Sequence, residues 1–272
     1  MNFWKSKLYY LYLYPNYYTP MGYIYKTNHE YLDNIDTEAK AYFLGLMYAD
    51  GCVSPKNGNR QHRMTISITA EDGYIFEHFS DLTSKKADFK NSPSIVKAGC
   101  KPQYQFRVTS NKIGEKLIEF GCYSNKSRIG MKFPELPEEM YKHFIRGFLD
   151  GDGCITIKKI NYKYKRKTEG LRKDTHQQRY KLKIAFCSTD KVFLEELAKK
   201  LELTKVYFVK KMRKQYTYVL WIERESETQK VLEYLYRDAT VYFKRKFNKV
   251  IEYNTTIKSQ ANGTPFEGLT TT

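Results

Sequence analysis

Two aspartates stand at corresponding places in a pair of similar segments, and no other residues of the sequence are better suited to chemistry. The first segment, AYFLGLMYADGCV, contains Asp50, and the second, HFIRGFLDGDGCI, contains Asp152. In both segments an apolar stretch interrupted by a glycine leads to Asp-Gly-Cys. Carboxylate oxygens are ligands that Mg²⁺ prefers. If the fold brings the two acids together, they predict a divalent-metal site.

The segments before the two acids have the pattern of helices that pack against each other. Asp36 or Thr37 can cap the first helix, and Pro137 suits the first turn of the second. Gly45 and Gly147 lie inside these helices, where a glycine costs about 1 kcal/mol relative to alanine. Small residues one turn apart let two helices approach almost backbone to backbone, which offsets that cost. We therefore expect Gly45 and Gly147 to form the helix interface.

The expected packing would place Asp50 and Asp152 side by side at the C-terminal ends of their helices. The helix dipole is negative there, so two carboxylates favour the presence of a cation. The carbonyl oxygens of Ala49 and Gly151 are further hard oxygen ligands. The sequence thus predicts Mg²⁺, with Mn²⁺ as a substitute, bound by Asp50, Asp152, Ala49 and Gly151.

The resemblance between the two segments continues downstream, so the chain is a duplicated unit. MTISITAEDGYIFEHFSDL in the first copy corresponds to LKIAFCSTDKVFLEELAKKL in the second. Both copies read as helix, strand, strand, helix, strand, strand, helix, which predicts an α+β fold of two pseudo-symmetric αββαββα repeats. The predicted division is an aromatic arm over 1–36, repeats over 37–134 and 135–254, and a polar tail over 255–272.

Charge and strand pattern together point to nucleic acid as the partner. The chain carries 47 Lys and Arg against 30 Asp and Glu, a net charge of +17, and such an excess favours a polyanion. The strands alternate between apolar residues and polar residues that can hydrogen-bond bases and phosphates. The predicted DNA-binding positions are Ser54, Lys56, Arg63, Thr65, Ser67, Thr69, Gln103, Gln105, Arg107, Thr109, Thr156, Lys158, Lys181, Lys183, Lys211 and Thr217.

The connection between the first two strands of the second copy is unusually basic. From Lys158 to Lys183 there are eleven Lys or Arg but only two acids, Glu169 and Asp174. Because Tyr162 and Tyr164 are interleaved with these charges, we predict an extended hairpin that follows DNA phosphates. The last strand of this copy has a less polar outer face, which includes Trp221. The two repeats should therefore contact different sequences, and the target should be asymmetric.

The sequence gives little support for a disulfide framework, a zinc or histidine metal site, or a membrane-spanning segment. The five cysteines include no CxxC pair, and the five histidines have no metal-ligand spacing. No apolar run approaches the roughly 20 residues needed to cross a bilayer. We expect a reducing cytoplasm in a phage, bacterial or organellar context and no membrane partner.

The motifs YFLGLMYADG and FIRGFLDGDG resemble those of the LAGLIDADG homing endonucleases, in the monomeric class with two motifs per chain. The resemblance covers roughly residues 37 to 253. It implies a saddle of antiparallel sheets over DNA, packed through the two motif helices. It also implies that Asp50 and Asp152 are the metal-binding catalytic acids.

The resemblance further implies a catalytic basic residue after the last helix of each repeat. By position these are Lys126 in YSNKSR and Lys246 in YFKRKF, with Lys244 as a competitor. This sequence departs from the family in having Ala70 and Thr189 where a polar residue often positions water. The sixth motif position differs between copies, Tyr48 against Asp150, and is interpreted as a position on the helix flank outside the metal site.

The sequence therefore predicts a monomeric, site-specific endonuclease that makes a double-strand break in a long DNA target. Two alternatives stay open at this point. One is a maturase that uses the same fold to bind intron RNA and assist group I splicing. The other is a non-catalytic regulator of the same fold that binds DNA, although such proteins tend to lose the acids and both are present here.

Overall fold

The computed structural model describes residues 25–54, 61–90, 101–168, 171–204, 207–212 and 216–259. Most of the predicted arm, the tail beyond Ser259, and Lys56 lie outside these ranges. The part of the arm that is described packs on the first repeat, since Tyr31, Leu32 and Ile35 are buried. The last helix continues to Ser259, beyond the predicted end of the second repeat at 254. The other predicted boundaries stay predictions.

The first repeat has the predicted element order. Helix α1 is followed by a hairpin, a short helix, a second hairpin and a final helix. Their bounds are α1 Glu38–Ala49, β1 Gly51–Ser54, β2 Arg63–Thr69, a 3₁₀ helix Ala70–Phe79, β3 Asp88–Lys90, β4 Gln103–Thr109, α2 Asn111–Phe120 and α3 Lys126–Ile129. The predicted second helix is thus a 3₁₀ helix.

The second repeat follows the same order with longer strands. It begins with a 3₁₀ turn at Glu138–Met140, which has Pro137 as its N-cap residue. Its bounds are α4 Tyr141–Asp152, β5 Gly153–Thr168, β6 Leu171–Ser188, α5 Lys191–Lys200, β7 Tyr207–Met212, β8 Tyr216–Ile222, α6 Glu225–Tyr236 and α7 Lys244–Ser259. The predicted α+β architecture of two related repeats is confirmed.

Each repeat contributes one antiparallel sheet of four strands within the described residues. The strand orders are β1-β2-β4-β3 and β5-β6-β8-β7, so the two sheets share one topology. In β2, Met64, Ile66 and Ile68 are buried while the alternate residues are more open. Strands β5 and β6 pair from Gly153↔Phe186 to Thr168↔Leu171, which forms the extended hairpin that the basic segment predicted.

The second sheet is less polar than the first on the face away from the helices. Leu182, Ile184 and Phe186 point inward as predicted, but Ala185 between them is also buried. Its neighbour across the strands is Trp221. Val219, on the same face of β8, is 3% exposed. These buried apolar residues make the second sheet chemically different from the first.

Helices α1 and α4 pack backbone to backbone through their glycines, as predicted. A Cβ atom at Gly45 would lie 2.1 Å from the carbonyl oxygen of Phe144, and one at Gly147 would lie 2.3 Å from that of Tyr42. One at Gly151 would lie 2.2 Å from the Cβ of Ala49. Neither backbone can move away without separating the repeats, so these positions require the absence of a side chain.

Replacing Gly45 with alanine is expected to destabilise the protein by about 2 kcal/mol. The new methyl group would overlap the backbone of α4, and overpacking of this kind costs about 1–3 kcal/mol or more. The gain of up to about 1 kcal/mol in helix propensity offsets only part of that. Urea unfolding of Gly45→Ala measures the loss. Ser226→Ala, on an exposed position of α6, is the matched control and should change stability little; equal stability of the two variants would contradict the close contact.

No helix in the described part of the chain is long and apolar enough to cross a membrane.

Candidate active site

The packing of α1 against α4 brings the two predicted acids to one place. Asp50 is the C-cap residue of α1, and Asp152 is the last residue of α4. A Cβ atom placed on Gly151 would lie 3.1 Å from Oδ2 of Asp50, which locates that carboxylate against the end of the opposite helix. Both acids are solvent-exposed residues. A phosphate can therefore approach them from outside.

The glycine after each acid has a structural role in the turn from helix to strand. A Cβ on Gly51 would lie 2.5 Å from the carbonyl oxygen of Met47, and one on Gly153 would lie 2.5 Å from that of Leu149. A larger residue would push β1 and β5 away from the helix ends. The Asp-Gly pair thus ends each helix and starts the first strand of each sheet.

The two carboxylates destabilise each other's charged forms. Although both acids are open to solvent on one side, the surrounding protein removes much of their hydration, and this desolvation raises the pKa of both. The negative charge of Asp50 raises the pKa of Asp152 further, to about 6, although Lys126 and Lys246 oppose this rise. Two acids at helix C-termini that repel each other form a site that favours a cation.

The predicted basic residues occupy equivalent places in the two repeats. Nζ of Lys126 donates to the carbonyl oxygen of Gly51, and Nζ of Lys246 donates to that of Gly153 at 2.6 Å. Lys246 also bonds the carbonyl oxygens of Leu149 and Asp150, at 2.6 and 2.7 Å. Each ammonium group thus stabilises the helix end that carries an acid, and its charge stays beside the site.

The structure distinguishes Lys246 from its competitor Lys244. Lys246 is 6% exposed and reaches the motif of its own repeat. Burial lowers its pKa, although the charge of Asp150 opposes this. Nζ of Lys244 instead lies 4.9 Å from the ring centroid of Tyr74. Lys246 therefore remains the predicted active-site lysine, and Lys244 contacts the other repeat.

The side chains of Asp150 and Tyr48, which share the sixth motif position, form hydrogen bonds with residues outside the proposed metal-ligand set. Oδ2 of Asp150 accepts hydrogen bonds from Tyr42 Oη at 2.6 Å and from the backbone N–H of Phe243 at 2.7 Å. Tyr48 Oη donates to the carbonyl oxygens of Phe120 and Lys132. Asp150 thus connects α4 to α1 and to the residue before α7, and Tyr48 connects α1 to the end of α2 and to the segment after α3.

The donors at the helix ends fit a hard divalent cation. The predicted ligands Asp50, Asp152, Ala49 and Gly151 supply only oxygen, which suits Mg²⁺ or Mn²⁺ better than zinc. Within the described residues no three His, Cys, Asp or Glu side chains cluster. The pair of acids would therefore leave several coordination positions for water and phosphate.

The predicted DNA-binding face of the first sheet is polar and accessible. Arg63 and Thr109 are exposed, and Gln105 Nε2 donates to Ser67 Oγ at 3.2 Å across the two central strands. Arg107 Nη2 donates to Gln105 in the same row. The other predicted positions of this sheet that are described, Ser54, Thr65, Thr69 and Gln103, are partly exposed.

The corresponding face of the second sheet is only partly available. Thr156 and Lys158 are exposed, and Lys181 and Thr217 are partly exposed. Lys183 forms an ion pair with Glu223, and its Nζ lies 5.7 Å from the ring centroid of Trp221. Lys183 therefore already has an acidic partner. Lys211 lies opposite Thr217 in the β7–β8 register.

Sequence reasoning missed one charged residue beside the acids, Arg245. Its Nε donates to Oδ2 of Asp72 at 2.6 Å, and these residues are 173 positions apart. Its only signal in the sequence is its place next to Lys246 in YFKRKF. Nothing in the strand or helix pattern pairs it with Asp72.

Comparisons with known proteins agree with this geometry. Residues 145–258 match the model of the LAGLIDADG endonuclease family, and no curated protein matches the chain. Among solved structures, the I-LtrWI LAGLIDADG homing endonuclease bound to target DNA superposes with a TM-score of 0.51 and 13% identity, over 86% of this chain and 92% of that one. The LAGLIDADG meganuclease I-AabMI, bound to uncleaved DNA, gives a TM-score of 0.51 and 14% identity, over 84% and 94%. These likenesses show a common fold.

Proposed function

We propose, on the premise that the chain is a two-motif member of the LAGLIDADG homing endonuclease family, that it makes a metal-dependent double-strand break in a long asymmetric DNA target. The observation that carries this proposal is the meeting of Asp50 and Asp152 at the seam of α1 and α4. Both acids are accessible from outside. They therefore stand where the backbone of a bound duplex could reach them.

Binding of duplex DNA would use both sheets and the charge excess. The net charge of +17 supplies the sequence-independent attraction to phosphates. The row formed by Ser67, Gln105 and Arg107 offers donors and acceptors to base edges, because a β-ribbon fits the major groove. The second sheet offers Thr156 and Lys158, and in place of the polar row it has the buried apolar residues Ala185 and Val219. Two different faces would read two different half-sites, so the target would be asymmetric.

Cleavage would depend on how the chain places its own charges. Asp50 and Asp152 would bind and orient the cation, and the proposed ligand set includes the carbonyl oxygens of Ala49 and Gly151. When bound there, Mg²⁺ acts as a Lewis acid and lowers the pKa of water. Lys126 and Lys246 would place positive charge beside the scissile phosphates, where negative charge accumulates during hydrolysis.

Duplex cleavage assays with and without metal test this function. We expect the purified protein to cut a plasmid from a randomised target library in Mg²⁺ or Mn²⁺ and to leave it intact in EDTA. The uninterrupted copy of a gene that neighbours the reading frame is a second source of candidate targets. Cutting that persists in EDTA would contradict the metal site. Tight binding of intron RNA without any duplex cleavage would instead support the maturase alternative.

A further inference from the structure

Asp72, in the first repeat, is a buried carboxylate that binds a residue of the second repeat. Its side chain is 1% exposed. Oδ2 accepts hydrogen bonds from Thr69 Oγ1 at 2.9 Å and from Arg245 Nε at 2.6 Å. Its other oxygen has no hydrogen-bond partner among the described residues. A buried charge of this kind is strongly destabilising without a cation. The ion pair with Asp72 therefore fixes the position of the Arg245 side chain.

Arg245 has donors left over after it binds Asp72. Its side chain is 38% exposed. Only Nε is bonded to the described residues, and the guanidinium carbon lies 5.2 Å from the ring centroid of Phe243. The two Nη groups have no hydrogen-bond partner among the described residues, and the side chain is open to solvent. A planar guanidinium with free donors suits a phosphate, which it can bind through two parallel hydrogen bonds.

The position of Arg245 is next to the acids. It precedes Lys246 in α7, and its partner Asp72 lies just after the end of β2, the strand that pairs with β1 beyond Asp50. Desolvation and the charge of Asp72 raise the pKa of Asp50, whereas Lys246, Lys126 and Arg245 lower it. The charges that act on the pKa of Asp152 are those of Asp50, Lys126 and Lys246. Because β2 pairs with β1 at Gly51, next to Asp50, and ends just before Asp72, the bond to Asp72 places Arg245 on the Asp50 side of the site.

Among the described residues, no ion pair in the other repeat corresponds to that of Asp72 and Arg245. Counting from Lys126 and Lys246, the residue that corresponds to Arg245 is Asn125. In the paired segments that begin at Met64 and Leu182, the residue that corresponds to Asp72 is Asp190. Oδ2 of Asp190 accepts the backbone N–H of Met131 in the first repeat, at 2.9 Å, in place of an arginine. The fold is duplicated, but this cation is not.

We propose that Arg245 binds a backbone phosphate of one DNA strand on the Asp50 side of the seam and speeds the cleavage of that strand alone. Asp72 is a positioning residue that aims the guanidinium outward. This inference rests on the proposed nuclease function. It adds that the two strands of the target are cut by sites of unequal charge.

Strand-resolved cleavage tests the proposal. The duplex that the unaltered protein cuts is labelled with a different fluorophore on each strand, and both cuts are followed with time. Arg245→Gln should lower the cleavage rate of one strand by at least about tenfold, since an electrostatic donor at a reacting phosphate contributes this much or more. The other strand should change by less than about threefold, so nicked DNA accumulates. Asp72→Asn should lower the cleavage rate of the same strand. The variant that combines both substitutions should cleave that strand no more slowly than Arg245→Gln alone.

A control variant and three possible outcomes show whether the proposal holds. Arg237→Gln replaces an exposed arginine whose ion pair with Glu233 spans 3.6 Å, and it should leave both strands unaffected. Equal slowing of the two strands by Arg245→Gln would overturn the proposal. Opposite strand preferences for Arg245→Gln and Asp72→Asn would also overturn it. If the unaltered protein cuts no duplex, the proposed nuclease function fails first, which is a different result from a cutting enzyme without strand bias.

Binding provides a readout that does not depend on cleavage. The affinity for a mixed-sequence duplex is measured over a range of salt concentrations in EDTA. Loss of one phosphate contact should reduce the slope of log K against log salt by about 0.9. Arg245→Gln should show this reduction, whereas Arg237→Gln should not. An unchanged slope for Arg245→Gln would overturn the phosphate contact.

Discussion

Asp50→Asn and Asp152→Asn should each lower double-strand cleavage by about 10³-fold or more while DNA affinity in EDTA stays within a few fold. Each change replaces a charged oxygen ligand by a neutral amide, which weakens the proposed cation site and its effect on the phosphate. The affinity comes from the sheets and the Lys and Arg excess, which both variants keep. Cleavage of the selected target and duplex binding in EDTA are the two measurements.

The same variants should keep or raise the stability of the metal-free protein. The charge of Asp50 raises the pKa of Asp152, so removing either charge relieves repulsion. Melting without metal therefore separates a lost site from a lost fold. Asp81→Asn, at an exposed carboxylate of the first repeat, is the matched control and should cut normally. Undiminished cutting by either active-site variant would refute the assignment of the acids.

The features that could be predicted from the sequence are those set by local patterns that occur in both repeats. Gly45 and Gly147 occur at the same place in two apolar helices, and only a close helix contact explains a glycine there. The alternation in β2 assigns its faces without knowledge of its neighbours, because side chains of a strand alternate between two sides. The duplication then places Asp50 opposite Asp152.

Other features depend on contacts between distant segments and could not be predicted. The pairing of Asp72 with Arg245 follows from how the first repeat's 3₁₀ helix meets the start of α7. The choice of Lys246 over Lys244 depends on which face of α7 turns toward the motif. The pairing of Lys183 with Glu223 depends on the β6–β8 register. These contacts arise from tertiary packing, and no local period of the sequence encodes them.

A buried hydrogen-bond network around Arg146 connects α1, α4 and the segment before α7, and it too could not be predicted from the sequence. Arg146 is fully buried in α4. It donates to the carbonyl oxygens of Val241 and Leu235, at 2.9 and 2.6 Å, and to Glu38 at the start of α1. Glu38 also accepts the backbone N–H of Thr240 and of Val241, both at 2.9 Å. The network therefore fixes the segment that leads into α7.

The network also affects the ionisation of its members. Burial raises the pKa of Glu38, but the Arg146 guanidinium and hydrogen bonds from Val241 and Thr240 bring the net pKa below its ordinary value. Burial and the charge of Arg146 lower the pKa of His143 to about 4, although Glu38 opposes this. His143 is thus neutral at pH 7, and its Nδ1 lies 2.8 Å from Arg146 Nη2. The arginine is the cation on which the cluster depends.

Arg146→Met is therefore expected to destabilise the protein by about 3–5 kcal/mol, because it leaves the partly buried Glu38 without its cation and the carbonyl oxygens of Leu235 and Val241 without their donor. A loss of this size should lower the melting temperature by about 10 °C. The control Arg237→Met removes an exposed ion pair, and exposed pairs contribute about 0–1 kcal/mol. Adding Glu38→Gln should recover part of the loss, because the unpaired charge is then absent and neighbouring substitutions do not add. A loss below about 1 kcal/mol, or strict additivity, would show that Glu38 finds another partner and that α7 is positioned without Arg146.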